Sequence, residues 1–286
     1  MMVLVTGSSG KLGGELLRAL RLARHPAVGL DLPELDVTDS AAVEQALAAH
    51  APGAVLHCAA FTDVDAAEGR EEEALAVNRD GAANVARAAA AGGAWLLHVS
   101  TDFVFRGDLR RAYREDDAPG PLSAYGRTKR AGEAAVLRAH PGALVLRTAW
   151  LYGGGGPDFV RKVLARARSG APLSVVEDQV GSPTWARDLA EAMVGLLAPR
   201  PAGILHFANA GACSRYELAA AALEEAGVRA ALRPCRTADL PPCAPRPPFA
   251  PLEASRYAAL SGSPPRGWRA ALRAFLAEEL RTGVGA

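Results

Sequence analysis

Cysteine is scarce in this chain and has no pattern. Cys58, Cys213, Cys235 and Cys243 are the only four in 286 residues, and none sits in a Cys-x-x-Cys pair. That spacing excludes a disulfide scaffold and a thiolate metal site of the usual kind. The six histidines include no pair four residues apart, so no helix face offers two imidazoles to one metal. Magnesium, bound mainly through carboxylates and water, leaves no signature in the sequence. Charge of one sign is also lacking. The net charge is +1 with acidic and basic residues interspersed, which excludes a polyanion groove and, with it, a nucleic-acid partner. No apolar stretch reaches the length of a membrane span before Gly, Arg or Asp interrupts it. Met1-Met2-Val3 runs into a strand-like segment without a basic leader, so a cytoplasmic protein with no membrane partner is expected.

What is present is an alternation of short apolar runs and helical stripes. Half of the residues are apolar, enough for one large core or two smaller ones. Residues 2–6 form an apolar run without alternation, as expected of a parallel strand covered on both faces. Gly7-Ser8-Ser9-Gly10-Lys11-Leu12-Gly13 follows at once, and Leu12, Leu16, Leu17 and Leu20 then mark a helix. Glycines 7, 10 and 13 permit a tight turn and close approach of backbone to phosphate, at a helix N-terminus with unpaired N–H groups. This Gly-x-x-Gly-x-x-Gly turn is one residue wider at its first gap than the dinucleotide fingerprint. A second strand, 27–31, ends in Asp31, 18 residues past Gly13. That is close to the ~20 expected for the acid that bonds the adenosine ribose. Strand, glycine turn, helix, strand and acid together point to a nicotinamide dinucleotide.

Further units follow the same rhythm. Asp36-Val37-Thr38-Asp39 leads a helix over 41–50 into a strand at 54–58, whose loop Ala59-Ala60-Phe61-Thr62-Asp63 emerges where doubly wound sheets bind ligands. Helical patterns over 72–91, containing Asn78, precede a strand at 95–100 that ends in Thr101-Asp102. The polar loop 106–123 fits either a lid or a solvent-facing connection. A strand is expected at 143–147, and the four glycines 153–156 mark a seam. Beyond the seam, helices are expected at 158–169, from an N-cap at Thr184 to 197, from a capping box at Ser214 and Glu217, and around Trp268. Strands are expected at 173–177 and 203–209, and the proline-dense stretch 233–251 reads as surface loop. The expected fold is α/β: a Rossmann-type doubly wound parallel sheet with a smaller C-terminal substrate-binding α/β region. Residues 1–152 would form the dinucleotide-binding domain, also receiving strands from 175–209, and residues 153–286 mainly the substrate-binding region.

Tyr125-Gly126-Arg127-Thr128-Lys129 carries the chemistry. If the segment through Arg138 is helical, Lys129 lies one turn above the Tyr125 phenol. A phenol titrates near ~10, and a neighbouring cation is expected to lower that value toward proton exchange at neutral pH. Taken alone the pair is a modest signal.

With the glycine turn, Asp31 and Asn78, this pair resembles the extended short-chain dehydrogenase/reductases. The likeness extends through residues 57–68, Ser100-Thr101-Asp102-Phe103-Val104-Phe105, Arg147 to Gly153 and Asp178 to Thr184, covering nearly the whole chain. It is greatest to the branch that reduces the 4-keto group of a 6-deoxy sugar carried on dTDP. Sugar-nucleotide dehydratases continue the Thr-Asp pair with a glutamate needed for elimination, and here that position is Phe103. The resemblance implies that Tyr125 protonates the developing alkoxide, that Lys129 tunes Tyr125 and bonds the nicotinamide ribose, and that Thr101 bonds the substrate oxygen or the phenol. It implies a cofactor site of Gly7, Gly10, Lys11, Leu12, Gly13, Asp31, Asp36, Val37, Ala59, Ala60, Phe61, Thr62, Val99, Tyr125 and Lys129. The substrate would meet Thr101, Asp102, Phe103, Trp150 and, at its diphosphate, Arg246. Asp31 favours NADH, while Lys11 or Arg24 leaves NADPH open. A homodimer is compatible with the resemblance. Two other readings stand beside it: a non-catalytic NAD(P)-binding regulatory subunit, and a reductase or epimerase of another nucleotide sugar. The chain departs from the branch at Phe103, where Tyr is usual, at His57, where Asn is usual, and at Arg246-Pro247-Pro248-Phe249-Ala250-Pro251-Leu252, where Arg-Pro-x-x-Ser-x-Leu is usual.

Overall fold

The computed structural model describes residues 1–241 and 243–282. Its central sheet takes β1 (Val3–Thr6), β2 (Ala27–Leu30), β3 (Ala54–His57), β4 (Trp95–Thr101) and β5 (Leu144–Thr148) from the first part of the chain. Strand Gly203–His206 adds a sixth beside β5, so the order across the sheet is 203–206, β5, β4, β3, β1, β2. All five pairings are parallel. The apolar runs without alternation are explained by helices on both faces. Val3 and Val5 point into one core with Leu56, Leu97 and Leu146, under Leu16 and Leu20 of helix α1 (Lys11–Leu22) and Leu189 and Met193 of helix Ala186–Gly195. Leu4, Val55, Leu96 and Val145 point into the other, under Val43, Val85 and Val136. The period of two along each strand divides one sequence between two cores. The chain leaves β1 toward β2 and then crosses back to β3 on the other side, so a topological switch point opens between the carboxyl ends of β1 and β3.

The third core lies beyond the seam. Helices Phe159–Arg168, Arg215–Glu225 and Trp268–Thr282 enclose Val160, Leu164, Leu173, Leu218, Leu272 and Phe275. Here the structure corrects the sequence reading. Strand Leu173–Val176 does not return to the large sheet; it pairs in parallel with Leu232–Cys235, at the start of the proline-dense stretch. Pro234 is tolerated there because this two-stranded ribbon leaves an edge that needs no donor. Thr184 is not a helix cap. It belongs to the short strand Thr184–Trp185, its hydroxyl donates to the Ser182 carbonyl, and Trp185 stands at the N-cap with its N–H held by Asn209 Oδ1. The capping box at Ser214 and Glu217 forms as expected.

The helical stretch before β4 is broken into Val64–Gly69, Glu71–Leu75, a π turn at Ala76–Gly81, and Ala82–Ala91. The π turn delivers Asn78 to the interior, as such turns do at functional sites. Loop 106–123 is fastened rather than lid-like. Tyr113 is buried, its hydroxyl accepts from the N–H groups of Gly107 and Asp108, and Glu115 Oε1 accepts from His206 N–H at 3.0 Å.

Candidate active site

A cleft of about 1780 Å³ opens along the carboxyl ends of the strands, and every cofactor and substrate residue that the resemblance implies lies on its wall. At one end, Gly7 adopts φ +66°, and a Cβ there would lie 2.6 Å from the Ala59 N atom. A Cβ on Gly13 would lie 2.2 Å from the Gly7 carbonyl oxygen. The turn therefore closes β1 against β3 through backbone alone. Gly10 caps α1 without a capping side chain, leaving first-turn N–H groups facing the cleft. This is a fitting cradle for a diphosphate. Asp31 stands at the rim with both oxygens anchored: Oδ2 accepts from Ser9 N–H and Oδ1 from Leu32 N–H, each at 2.9 Å. Of the two candidates for a ribose phosphate, Lys11 lines the cleft and Arg24 does not. Gly13→Ala should cost more than about 1 kcal/mol of stability and weaken dinucleotide binding, because the added methyl meets immobile backbone. A melting curve and a fluorescence titration with reduced nicotinamide check this.

The loop after β3 is held by Asn78. Its Oδ1 accepts from Phe61 N–H at 2.9 Å, and its Nδ2 donates to the Phe61 carbonyl at 3.1 Å and to Thr128 Oγ1 at 3.0 Å. One side chain thus ties this loop to the helix Ala124–Ala139 that carries Tyr125 and Lys129. That helix begins at Ser123, whose hydroxyl accepts from Gly126 N–H. It also comes close to the turn that follows β4 and to the π turn: a Cβ on Gly126 would lie 2.3 Å from the Phe103 carbonyl oxygen, and one on Gly132 would lie 2.1 Å from that of Asn78. Small residues here set the distance between the phenol and the strand end.

At the reacting end, the Tyr125 ring meets Phe103 edge-on with centroids 5.5 Å apart. Lys129 is buried and its Nζ donates to the Val99 carbonyl at 2.7 Å. Burial pulls the Lys129 ammonium down to about 8, against the opposing charge of Glu133. The expected depression of the Tyr125 phenol does not occur. Burial pushes it up to about 12 and the Asp102 carboxylate adds to the rise, while the Thr101 hydroxyl opposes it. The Lys129 ammonium is turned to the Val99 carbonyl and is not among the groups that shift the phenol, so desolvation decides the direction. Tyr125 is consequently protonated at neutral pH, the form a proton donor needs.

Thr101 Oγ1 donates to Asp102 Oδ1 at 3.0 Å and accepts from Phe103 N–H at 3.2 Å. Asp102 is 1% exposed, and its Oδ2 has no partner among the described residues. Burial raises its carboxyl to about 7, opposed by the Thr101 hydrogen bond and the charge of Arg215. Such an atom on a cleft wall invites a polar ligand. His57, by contrast, is structural. Its Nδ1 lies 2.6 Å from Thr6 Oγ1, its ring stacks on His98, and burial with the nearby Lys129 charge lowers it to about 3. It stays neutral and lies behind the wall.

Trp150 reaches the cleft from a backbone φ of +46°, a strained conformation of the sort found at functional positions. Arg246 donates to Asp65 Oδ2 and to the Ala244 carbonyl, both at 2.8 Å, pinning the proline-rich loop to helix Val64–Gly69. Sequence reasoning missed Arg215, whose guanidinium lies 3.6 Å from the centroid of the Trp150 ring. Following the N-cap Ser214, it reads in sequence as an ordinary solvated residue of a first helical turn. It also missed Gln179 and Phe159 on the same wall. Among the described residues no cluster of three or more His, Cys, Asp or Glu side chains could hold a metal ion. No helix of the described residues is long and apolar enough to cross a membrane.

A parallel sheet with a glycine turn at its switch point and a Tyr-x-x-x-Lys helix beside the next strand ends defines a dehydrogenase of the extended short-chain class. Within it, the chain belongs to the family of the RmlD substrate binding domain, whose model matches residues 1–281. It is 45% identical over 276 residues to dTDP-4-dehydrorhamnose reductase of Streptomyces griseus, covering 94% of this chain and 91% of that protein. It is 44% identical over 277 residues to a probable dTDP-4,6-dihydroxy-2-methyloxan-3-one 4-ketoreductase of Streptomyces antibioticus, covering 94% of this chain and 92% of that one. Among solved structures, dTDP-4-dehydrorhamnose reductase of Bacillus anthracis in complex with NADP superposes with a TM-score of 0.94 at 34% identity, covering 97% of this chain and 99% of that chain.

Proposed function

We propose that this chain is a nucleotide-sugar ketoreductase that reduces the 4-keto group of dTDP-4-dehydro-L-rhamnose to the alcohol of dTDP-L-rhamnose. The observation that carries the reading is the convergence of Tyr125, Thr101 and Asp102 at one end of a cleft whose other end is a dinucleotide cradle. The name of the Streptomyces griseus relative supports the substrate. Gly7, Gly10, Lys11, Leu12, Gly13, Asp31, Asp36, Val37, Ala59, Ala60, Phe61, Thr62 and Val99 would hold the nicotinamide dinucleotide. When bound, that cofactor supplies the hydride. Tyr125 gives its proton to the sugar oxygen as charge develops there, and Thr101 and Asp102 orient that oxygen. Lys129, fixed by the Val99 carbonyl, holds positive charge beside the forming tyrosinate and bonds the ribose. Phe103 stands where the dehydratases carry the glutamate needed for elimination, which supports plain reduction. The Streptomyces antibioticus relative favours a second reading, 4-keto reduction of a different dTDP-linked deoxysugar. Comparing turnover of the two sugars decides between them.

Cofactor preference follows from Asp31. Its carboxylate is clamped by two N–H groups at the rim and cannot swing away from a 2'-phosphate. Like charges so placed cost enough to give NADH an advantage of about tenfold or more in kcat/KM. Asp31→Asn should narrow that ratio. A strong preference of the unaltered chain for NADPH would overturn the argument, with Lys11 as the group responsible.

A further inference from the structure

Two arginines face the cleft near the substrate end, and they are differently occupied. Arg246 already donates through Nη1 to the Ala244 carbonyl and through Nη2 to Asp65, with which it forms an ion pair. Hydrogen bonding to Arg246 holds the Asp65 carboxyl below its ordinary range, as expected of a working ion pair. Arg215 is the opposite case. Its guanidinium lies 3.6 Å from the Trp150 ring centroid and 5.0 Å from that of Phe159. Neither a hydrogen bond nor an ion pair from its side chain is found among the described residues. The stacking holds the plane of the fork while leaving its N–H edges free. It is also fixed from below: the Arg215 backbone N–H donates to the Gln179 carbonyl, and Gly181, which pairs with Cys213, lies so close to Trp150 that a Cβ would stand 2.4 Å from its Cε2 atom.

A clamped cation with free donors on the wall of a cleft is arranged for an anion. Arg215 feels the charges of both Asp102 and Arg246, so its guanidinium is within electrostatic reach of each, and all three line the cleft. Burial lowers its guanidinium only to about 10, so it is charged at neutral pH. We infer that Arg215, held against Trp150, is the principal ligand of the substrate's diphosphate, and that Arg246 serves chiefly to pin its loop through Asp65. The inference rests on the reading of the substrate as a nucleoside-diphosphate sugar. It assigns Trp150 a second task besides walling the sugar: it is the platform that orients the fork.

The test compares dTDP with thymidine as ligands of the full chain, by calorimetry, in Arg215→Met, Arg215→Lys and Arg246→Met. Loss of charge-assisted hydrogen bonds should weaken dTDP by roughly 10- to 100-fold in Arg215→Met. Thymidine and reduced-nicotinamide affinities should be kept, the latter showing that the variant is folded. Arg215→Lys should fall between, since it keeps charge and loses the planar fork, and Arg246→Met should lose less than Arg215→Met. In turnover, Arg215→Met should raise KM for the nucleotide sugar with kcat largely kept. An unchanged preference for dTDP over thymidine in Arg215→Met, with turnover of the sugar intact, overturns the assignment of Arg215 and leaves the ketoreductase reading standing. An unaltered chain that binds thymidine as well as dTDP overturns both.

Discussion

Tyr125→Phe should lower kcat by about 100- to 10,000-fold, the range seen when a positioned proton donor is lost, with affinity for the reduced nicotinamide unchanged. The size of the effect follows from the geometry. The phenol is the group of the Tyr125 helix that meets the end of β4, where Thr101 lies with Asp102, whose Oδ2 has no partner among the described residues. Burial holds it up to about 12, so it carries its proton throughout the neutral range and gives it up only as the sugar oxygen gains charge. Phenylalanine keeps the ring and its edge contact with Phe103, so the loss would be chemical and not a matter of packing. Rates near those of the unaltered chain would remove Tyr125 from the mechanism and leave Asp102, with its carboxyl at about 7, as the remaining donor.

Glu133→Ala is expected to destabilise the fold by about 3–5 kcal/mol, the cost of stranding a buried charge. Glu133 and Arg147 have side-chain exposures of 0% and 1% and meet through two parallel hydrogen bonds of 2.7 and 2.8 Å. Ser100 donates to the same carboxylate at 2.7 Å and Arg130 at 3.0 Å. Removing the carboxylate leaves the Arg147 guanidinium with Phe105 and a long contact to His206 as its neighbours. The effect reaches the site, because Glu133 lies one turn beyond Lys129 and ties the Tyr125 helix to β4 and β5. Thermal unfolding should report a melting temperature lower by the order of 10 °C. Burial tends to raise the Glu133 carboxyl, but Arg147, Ser100 and Arg130 together hold it below the ordinary range. A depressed folded-state value means its stabilisation is complete above the ordinary carboxylate pKa of ~4.3 and is lost as pH falls through the lower folded value. The gap between the two proteins should therefore be widest near neutral pH and close in acid. Equal melting temperatures at neutral pH would show the pair to be dispensable.

Local pattern carried most of the architecture into the sequence. The glycine turn, the strand runs and the Ser214 capping box are each specified within a few residues, and the folded chain adopts them where they were expected. Strand Leu173–Val176 was legible as a strand but not in its partner, because Leu232–Cys235 lies far along the chain in a stretch whose prolines mask it. Thr184 had the chemistry of a cap, yet tertiary pairing drew it into a strand. Many members of the cleft could be named because they follow a strand, and parallel strands put such positions on one rim; Tyr125 and Lys129 were found by their spacing on a helix. Their electrostatics could not. The spacing of Tyr125 and Lys129 gives their neighbourhood along the helix, but the direction of the phenol shift depends on burial and on where the ammonium points. Arg215 escaped for a similar reason: what distinguishes it is Trp150, 65 residues earlier, beneath its guanidinium (215 − 150).

The most direct test of the account is to mix the purified chain with dTDP-4-dehydro-L-rhamnose and reduced nicotinamide, following the loss of cofactor absorbance and the structure of the sugar product. One nicotinamide should be oxidised per sugar, giving a product with a hydroxyl at C4 and an intact dTDP carrier, and Tyr125→Phe should lose that turnover. A chain that binds the reduced cofactor normally yet leaves both sugar and cofactor unchanged would contradict the account, and would favour a regulatory subunit that only binds the dinucleotide.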